Sequence, residues 1–143
     1  MGKRRSSREL ALKFLYQFEI NKGNFDEQMK LFLERNSSQV GVEIFMKDLV
    51  ASLLDKEKEI DEVIQKFSDH WVLDRMSVID RNILRMGTCE LIFNFSTPPK
   101  VIINEAIDIA KKYGNEDSPE FINGILDKIY REISQKGSLP FPT

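Results

Sequence analysis

The chain has 143 residues, of which 41% are hydrophobic and 31% are charged, and its formal net charge is −2. These values are typical of one folded domain and exclude an intrinsically disordered chain. The longest apolar runs span only a few residues, and the N-terminus lacks the apolar segment of a secretory signal, so we expect neither a membrane span nor a signal peptide.

Cysteine and histidine each occur once, as Cys89 and His70. A lone cysteine can form neither an internal disulfide nor a CxxC redox pair, and no nucleophile motif lies near His70. We read His70 as a residue at a helix end rather than a catalytic base or a metal ligand. These counts predict a cytoplasmic protein with no catalytic residue, no metal site and no cofactor.

Helical periodicity runs through the chain, and glycine and proline fall between the periodic segments. In chain order, helices are predicted over 6–21, 26–35, 42–67 (as one helix or two), 77–93, 99–113 and 118–135. Ser77 and Asp80 have the spacing of a capping box, and Ser118 is placed to cap the last helix. The pattern predicts an all-α fold with about six or seven helices in a single domain over 1–135, followed by a flexible tail over 136–143.

The first predicted helix has a basic and aromatic stripe that is separate from its apolar face. The stripe contains Arg5, Arg8, Leu12 and Tyr16, at spacings of three, four and four residues, and Lys3 and Arg4 precede it. Arginine can bind a phosphate through two hydrogen bonds, and a tyrosine ring can stack on an unpaired base. The pattern therefore suits single-stranded nucleic acid. A solvated helix start with a half-buried tyrosine is the alternative interpretation.

The fourth predicted helix carries a carboxylate in its apolar sector. Arg81, Arg85 and Thr88 are expected on its outer face, whereas Glu90 falls on the inner side. Because a buried carboxylate needs a partner, we expect an ion pair between Glu90 and an arginine, with Arg75 as one candidate.

The last two predicted helices each raise a question about their polar or irregular positions. In the fifth, Glu105 and Asp108 are expected on a solvated polar face. In the sixth, Phe121 lies at the edge of the apolar stripe, where it either closes the core or stacks on a base. Gly124 in the same helix costs about 1 kcal/mol relative to alanine, so we expect it to pack closely against another backbone.

Several segments of the chain resemble the NusB family. They are RRSSRELALKFLYQFE (4–19), WVLDRMSVIDRNILRMGTCEL (71–91), VIINEAIDIAKKYG (101–114) and FINGILDKI (121–129). The resemblance implies an all-helical fold of two packed halves and a transcription antitermination factor that is not an enzyme. Together with the ribosomal small-subunit protein NusE, such a factor binds the boxA element of nascent single-stranded RNA. The pair then helps RNA polymerase to read through terminators, notably in ribosomal RNA operons.

The resemblance also implies two binding surfaces. The RNA-facing residues map to Lys3, Arg4, Arg5, Arg8, Tyr16, Asp117 and Phe121. The NusE-facing residues map to Arg75, Asp80, Arg81, Leu84 and Arg85. The resemblance leaves open whether the protein is a monomer or a homodimer.

Two other functions fit the sequence. A NusB-like domain also stands at the front of some ribosomal RNA methyltransferases, but this chain ends at Thr143 without a Gly-rich methyl-donor domain. The other alternative is a protein-interaction module whose basic start is incidental. Binding of RNA separates this second alternative from the antitermination factor.

Overall fold

The computed structural model describes residues 2–69, 71–93 and 97–136. Within these ranges the backbone forms seven α-helices and one short 3-10 turn. The elements are α1 (Gly2–Ile20), α2 (Phe25–Arg35), α3 (Val40–Asp55), α4 (Glu57–Phe67), the turn (Leu73–Arg75), α5 (Val78–Phe93), α6 (Pro99–Tyr113) and α7 (Ser118–Lys136). The predicted all-α fold is confirmed. Across the ranges just given, no helix combines the length and apolar character needed to cross a membrane.

Some predictions concern residues that the structure does not describe. His70 and the tail from residue 137 onwards lie outside the described ranges, so the structure does not test what was expected of them. Residue 136, the first residue of the predicted tail, is instead the last residue of α7.

Side-chain caps fix the starts of two helices. At α2, Asn24 Oδ1 accepts a hydrogen bond from the Glu27 N–H at 2.8 Å, and at α5 Ser77 Oγ accepts one from the Asp80 N–H at 3.1 Å. The predicted serine cap of α5 is thereby confirmed. The long pattern over 42–67 forms two helices, because the backbone leaves the helical conformation between α3 and α4.

α1 begins at Gly2, which is earlier than predicted, because its first turn is attached to α3. The hydroxyl oxygen of Ser7 lies 2.8 Å from the carbonyl oxygen of Val42 and 3.0 Å from that of Lys3. The bond from Ser7 to Val42 requires a small side chain where α1 and α3 meet. The basic residues at the start of the chain are therefore helical and fixed to the core.

α1 and α3 pack together with α2 against them as one half of the fold, and α4 to α7 form the other half. α5 is the helix of the second half that faces the first half. It contacts α1 and α3 of the first half and α4, α6 and α7 of its own half. One hydrophobic core runs through both halves. Because α5 is surrounded, the expected outer face of this helix is wrong: Thr88 and Arg85 are buried, and Arg81 is half-buried.

Close packing of α5 against α7 depends on a glycine that is not the one expected. A Cβ added at Gly87 would lie 2.9 Å from a methyl carbon of the buried Leu126, so only glycine fits there without displacement. A Cβ added at Gly124 would meet nothing within 4 Å. The expectation of close backbone packing at Gly124 is therefore wrong, and this position is open to solvent.

Candidate nucleic-acid interface

The first turn of α1 presents two cations to solvent. Lys3 and Arg4 are both exposed. The guanidinium carbon of Arg4 lies 3.9 Å from the ring centroid of Phe45 on α3, an arrangement that holds the arginine stem while leaving the charge exposed. These side chains are available to a phosphate.

The next two arginines face inward and do not form the exposed stripe predicted from the helical wheel. Arg8 is only 3% exposed and donates two hydrogen bonds, each of 2.8 Å, to the carboxylate of Glu90 on α5. Arg5 is half-buried and donates from Nε to Glu105 at 2.9 Å and from Nη2 to Asp108 at 2.8 Å. The wheel failed because α5 supplies a carboxylate to Arg8 and α6 supplies two to Arg5.

This arrangement changes the charge that the basic start offers to a ligand. Two guanidiniums meet three carboxylates, so their charge is largely cancelled within the protein. The hydrogen bond to Glu105 raises the pKa of Arg5, and the same bond from Arg5 lowers the pKa of Glu105. The expectation that Glu105 lies on a solvated face is wrong, because its side chain is buried against α1.

The prediction that Glu90 pairs with an arginine is confirmed, but the candidate partner was wrong. The pair forms with Arg8, more than eighty positions away in the sequence, whereas Arg75 is exposed in the 3-10 turn. Both members of the pair are almost completely buried. A buried pair of this kind fixes the position of α1 relative to α5.

Tyr16 lies at the edge of a groove between helices. Its side chain is 43% exposed, and it lines a groove of about 520 Å³ together with Ile79, Tyr113 and neighbouring residues of α1 and α2. Leu12, which was expected on the same exposed stripe, is fully buried. Tyr16 therefore offers an accessible ring, separated from the exposed cations by three turns of helix.

The start of α7 has an exposed carboxylate beside a half-buried ring. Asn115 Oδ1 accepts hydrogen bonds from the N–H groups of Asp117 and Ser118, so Asn115 supplies the side-chain cap that was expected from Ser118. Asp117 is exposed, and Phe121 is half-buried. Phe121 also contacts Trp71, at 5.4 Å between ring centroids.

The predicted NusE-facing surface is largely internal. Leu84 is fully buried and cannot contact a partner on this surface. Arg85 donates to Asp61 at 2.8 Å and to Glu19 at 2.9 Å. Arg81 bonds Glu19 and also donates to the carbonyl oxygen of Met76 at 2.9 Å. α1 and α4 cover this side of α5, so Leu84, Arg81 and Arg85 contact the protein's own residues, and their role toward NusE stays a prediction.

The carboxylate of Glu19 in this network is held ionised. Burial acts to raise the pKa of Glu19, but the hydrogen bond and charges of Arg81 and Arg85 lower it below its ordinary value. Burial likewise opposes ionisation of Arg85, yet Asp61 raises the pKa of Arg85 above the ordinary value. The network therefore serves to fix α1, α4 and α5 together.

Two members of the predicted partner surface remain accessible or unsatisfied. Arg75 is exposed. Asp80 is buried, and its Oδ1 meets no hydrogen-bond donor from the part of the chain that the structure describes. A buried carboxylate oxygen without a donor is costly to the fold.

Comparison with known proteins decides the family. The NusB family model matches residues 5–131.

The chain belongs to the NusB family.

Curated NusB proteins align with nearly the whole chain. This chain is 44% identical to the transcription antitermination protein NusB of Geobacter sulfurreducens, over 96% of this chain and 100% of the relative. It is 42% identical to the NusB protein of Desulforapulum autotrophicum, over 90% of this chain and 92% of that relative. A crystal structure of the antitermination factors NusB and NusE in complex with double-stranded RNA matches with a TM-score of 0.82 and 33% identity, covering 92% of this chain and 98% of the matched chain.

Two features of this NusB fold were not found from the sequence. Glu105 binds Arg5, and no local signal predicts this pair because its members lie 100 positions apart. Trp71 lies against Phe121, and helical periodicity does not predict this contact because Trp71 precedes α5 whereas Phe121 lies in α7.

Proposed function

We propose that this protein is a transcription antitermination factor that binds boxA RNA together with NusE and promotes read-through by RNA polymerase, notably of ribosomal RNA operons. The proposal rests chiefly on the similarity of this chain to a NusB protein whose crystal structure contains NusE and double-stranded RNA. The names of the curated relatives support it. The action is binding and assembly, without catalysis.

In this proposal the RNA backbone meets the first turn of α1. Lys3 and Arg4 supply two exposed cations, and the half-buried Arg5 supplies part of a third. Arg8 acts as a positioning residue, since its guanidinium is bonded to Glu90 and also faces Glu105 at 3.5 Å. Tyr16 and Phe121 supply rings for unpaired bases, and Asp117 supplies a carboxylate that can accept from a base edge.

NusE is assigned to the region of Arg75 and Asp80. The carboxylate of Asp80, which is 8% exposed, would be a polar contact to the partner, and Arg75 would contribute an exposed charge. Arg81 and Arg85 would act from within, by holding the start of α5 against α1. Asp80→Ala is therefore expected to weaken binding of NusE while leaving binding of RNA alone unchanged.

The test is a fluorescence anisotropy titration of the full chain with labelled RNA. The probes are a short single-stranded boxA RNA, a scrambled strand of equal length and the boxA duplex, each with and without NusE. The duplex is included because the related complex contains double-stranded RNA. We expect tighter binding of the boxA strand than of the scrambled strand, and a further increase in affinity when NusE is added.

Salt dependence tests which cations contact phosphate. Each phosphate contact to a single strand contributes about 0.7 to the slope of log K against log salt, so Lys3→Gln and Arg4→Gln should each lower the slope by about 0.7. The Arg8→Met, Glu90→Leu double variant should leave the slope unchanged. Equal and weak binding of all RNA probes, with or without NusE, would refute the proposal and favour a protein-interaction module.

A further inference from the structure

Trp71 is the single tryptophan of the chain and lies on the surface. Its side chain is 57% exposed, although a ring of this size is usually buried for most of its area. It packs edge to face against Phe121, at 5.4 Å between centroids and 73° between planes. One ring of the pair therefore supports the other, while much of the indole surface remains open.

The turn that carries Trp71 is fixed by side chains at the C-terminal end of α4. The carbonyl oxygen of Trp71 accepts hydrogen bonds from Gln65 Nε2 at 2.7 Å and from Ser68 Oγ at 2.9 Å. Gln65 also accepts from the N–H of Leu73 through its Oε1, at 3.0 Å. Gln65 thus bridges Val72 and fixes the backbone that follows the tryptophan. A ring held in this way loses little conformational freedom when a ligand contacts it.

The face of α7 beside the aromatic pair has a glycine, Gly124, at its centre. Phe121, Gly124 and Lys128 follow one another at i, i+3 and i+7 and share one face of the helix. A Cβ added at Gly124 would meet nothing within 4 Å. Lys128 at the far end is paired with Asp69 at 2.7 Å, which also ties the turn to α7. The result is an open surface bordered by a flat ring.

We propose that Trp71 stacks on an unpaired base of the bound RNA, beside the base-binding position assigned to Phe121. The inference rests on the proposed RNA-binding function and extends its base-binding surface by one ring. An exposed π-face accepts any base and gives affinity without base-edge recognition. The exposed carboxylate of Asp117 on the same helix end repels phosphate. A base, which carries no charge, therefore suits this surface better than the RNA backbone.

The nature of the surroundings favours a base over an apolar protein segment. The neighbouring Asp69 and Lys128 form an ion pair that would lose hydration beneath a broad apolar contact. A single planar base can cover the ring without covering the ion pair. The contact would also be insensitive to salt, because it neutralises no phosphate.

Because Trp71 is the only tryptophan, its own emission reports the contact. The full chain is titrated with the single-stranded boxA RNA while intrinsic fluorescence and the anisotropy of labelled RNA are recorded. We expect emission to be quenched in step with binding. Trp71→Leu should weaken binding by about 5- to 150-fold with an unchanged salt slope, and Trp71→Phe should recover most of the affinity.

The matched control is Val72→Ala, which removes an exposed apolar side chain from the same turn without removing a ring. It should bind RNA like the wild-type protein. Thermal unfolding of each variant shows whether the fold is retained, and loss of affinity in Trp71→Phe equal to that in Trp71→Leu would indicate a packing role and overturn the inference.

The remaining outcomes separate the inference from the proposed function. If the wild-type protein binds boxA RNA but its emission does not change and Trp71→Leu binds equally well, the stacking contact is refuted while the RNA-binding function stands. If NusE alone quenches the emission and RNA does not, Trp71 belongs to a protein contact and the inference is overturned. If the wild-type protein binds no RNA, both proposals fail.

Discussion

Replacement of Arg8 by methionine tests whether the first helix is held by a buried ion pair. Methionine fills most of the volume of the arginine stem but leaves Glu90 without its two hydrogen bonds of 2.8 Å. The carboxylate is only 2% exposed, so water cannot replace the lost donors. Glu105 is affected less, because Arg5 remains bonded to it.

The expected loss of unfolding free energy is large. Removing one partner of a buried pair costs about 3–5 kcal/mol, because the other charge stays buried and unpaired. A similar range of about 3–6 kcal/mol follows from two hydrogen bonds to charged groups at about 1.5–3 kcal/mol each. A domain has about 5–15 kcal/mol in total, so Arg8→Met should approach the limit of stability. Removing both charges in Arg8→Met, Glu90→Leu should restore stability to within about 1 kcal/mol of the wild-type protein.

Urea unfolding followed by circular dichroism measures these differences, provided that the m-value stays constant. The control is Arg35→Met, which removes an exposed arginine at the end of α2 and should change stability by less than about 0.5 kcal/mol. A cost below about 1 kcal/mol for Arg8→Met would refute the buried pair. So would additive losses in the double variant, since paired residues must show coupling.

Three further perturbations test other features. The hydrogen bond from Arg5 lowers the pKa of Glu105 below its ordinary value of 4.5. Ionised Glu105 therefore stabilises the fold above pH 4.5, and this contribution is lost as the pH falls through the lower pKa of the folded state. Glu105→Gln should flatten the acid side of the plot of unfolding free energy against pH, and unaltered acid sensitivity would contradict this. Gly124→Ala should raise the unfolding free energy by about 0.5–1 kcal/mol, since the added methyl meets no atom, and a loss of stability in the same urea assay would show a hidden contact. Burial and the charge of Glu90 raise the pKa of Cys89 to about 12, so alkylation of its thiol should require unfolding. The alkylation rate should increase with urea in parallel with the unfolded fraction. Rapid alkylation of the native protein would argue against burial.

Helix number and most helix ends were predictable because their signals are local. Ser77 marks the start of α5 through a cap within one turn, and α6 begins at the second of two prolines and ends before Gly114. The division of the 42–67 segment was left open, because the break between α3 and α4 carries no glycine or proline. Its position depends on how both helices reach α5.

The burial of charged residues could not be predicted from periodicity. A helical wheel shows which residues share a face, but it does not show which other helix covers that face. The wheel separated Arg8 from the apolar side of α1, whereas α5 and α6 cover both sides. Arg85 and Thr88 were misplaced for the same reason, since α5 has neighbours all round. Only a search for a carboxylate to match each arginine could have pointed to Glu105.

The ion pairs of α1 also determine when this helix can reach its final place during protein synthesis. Arg8 and Glu90 are 82 positions apart, and Arg5 and Glu105 are 100 apart. At a synthesis rate of about 5–20 residues per second, the arginines are made roughly 4–20 s before their carboxylates. During that interval the nascent chain exposes four cations in its first eight residues, close to ribosomal RNA. The ion pairs of the first helix to be synthesised therefore form only after α5 and α6 have been made, although its contact with α3 is available earlier.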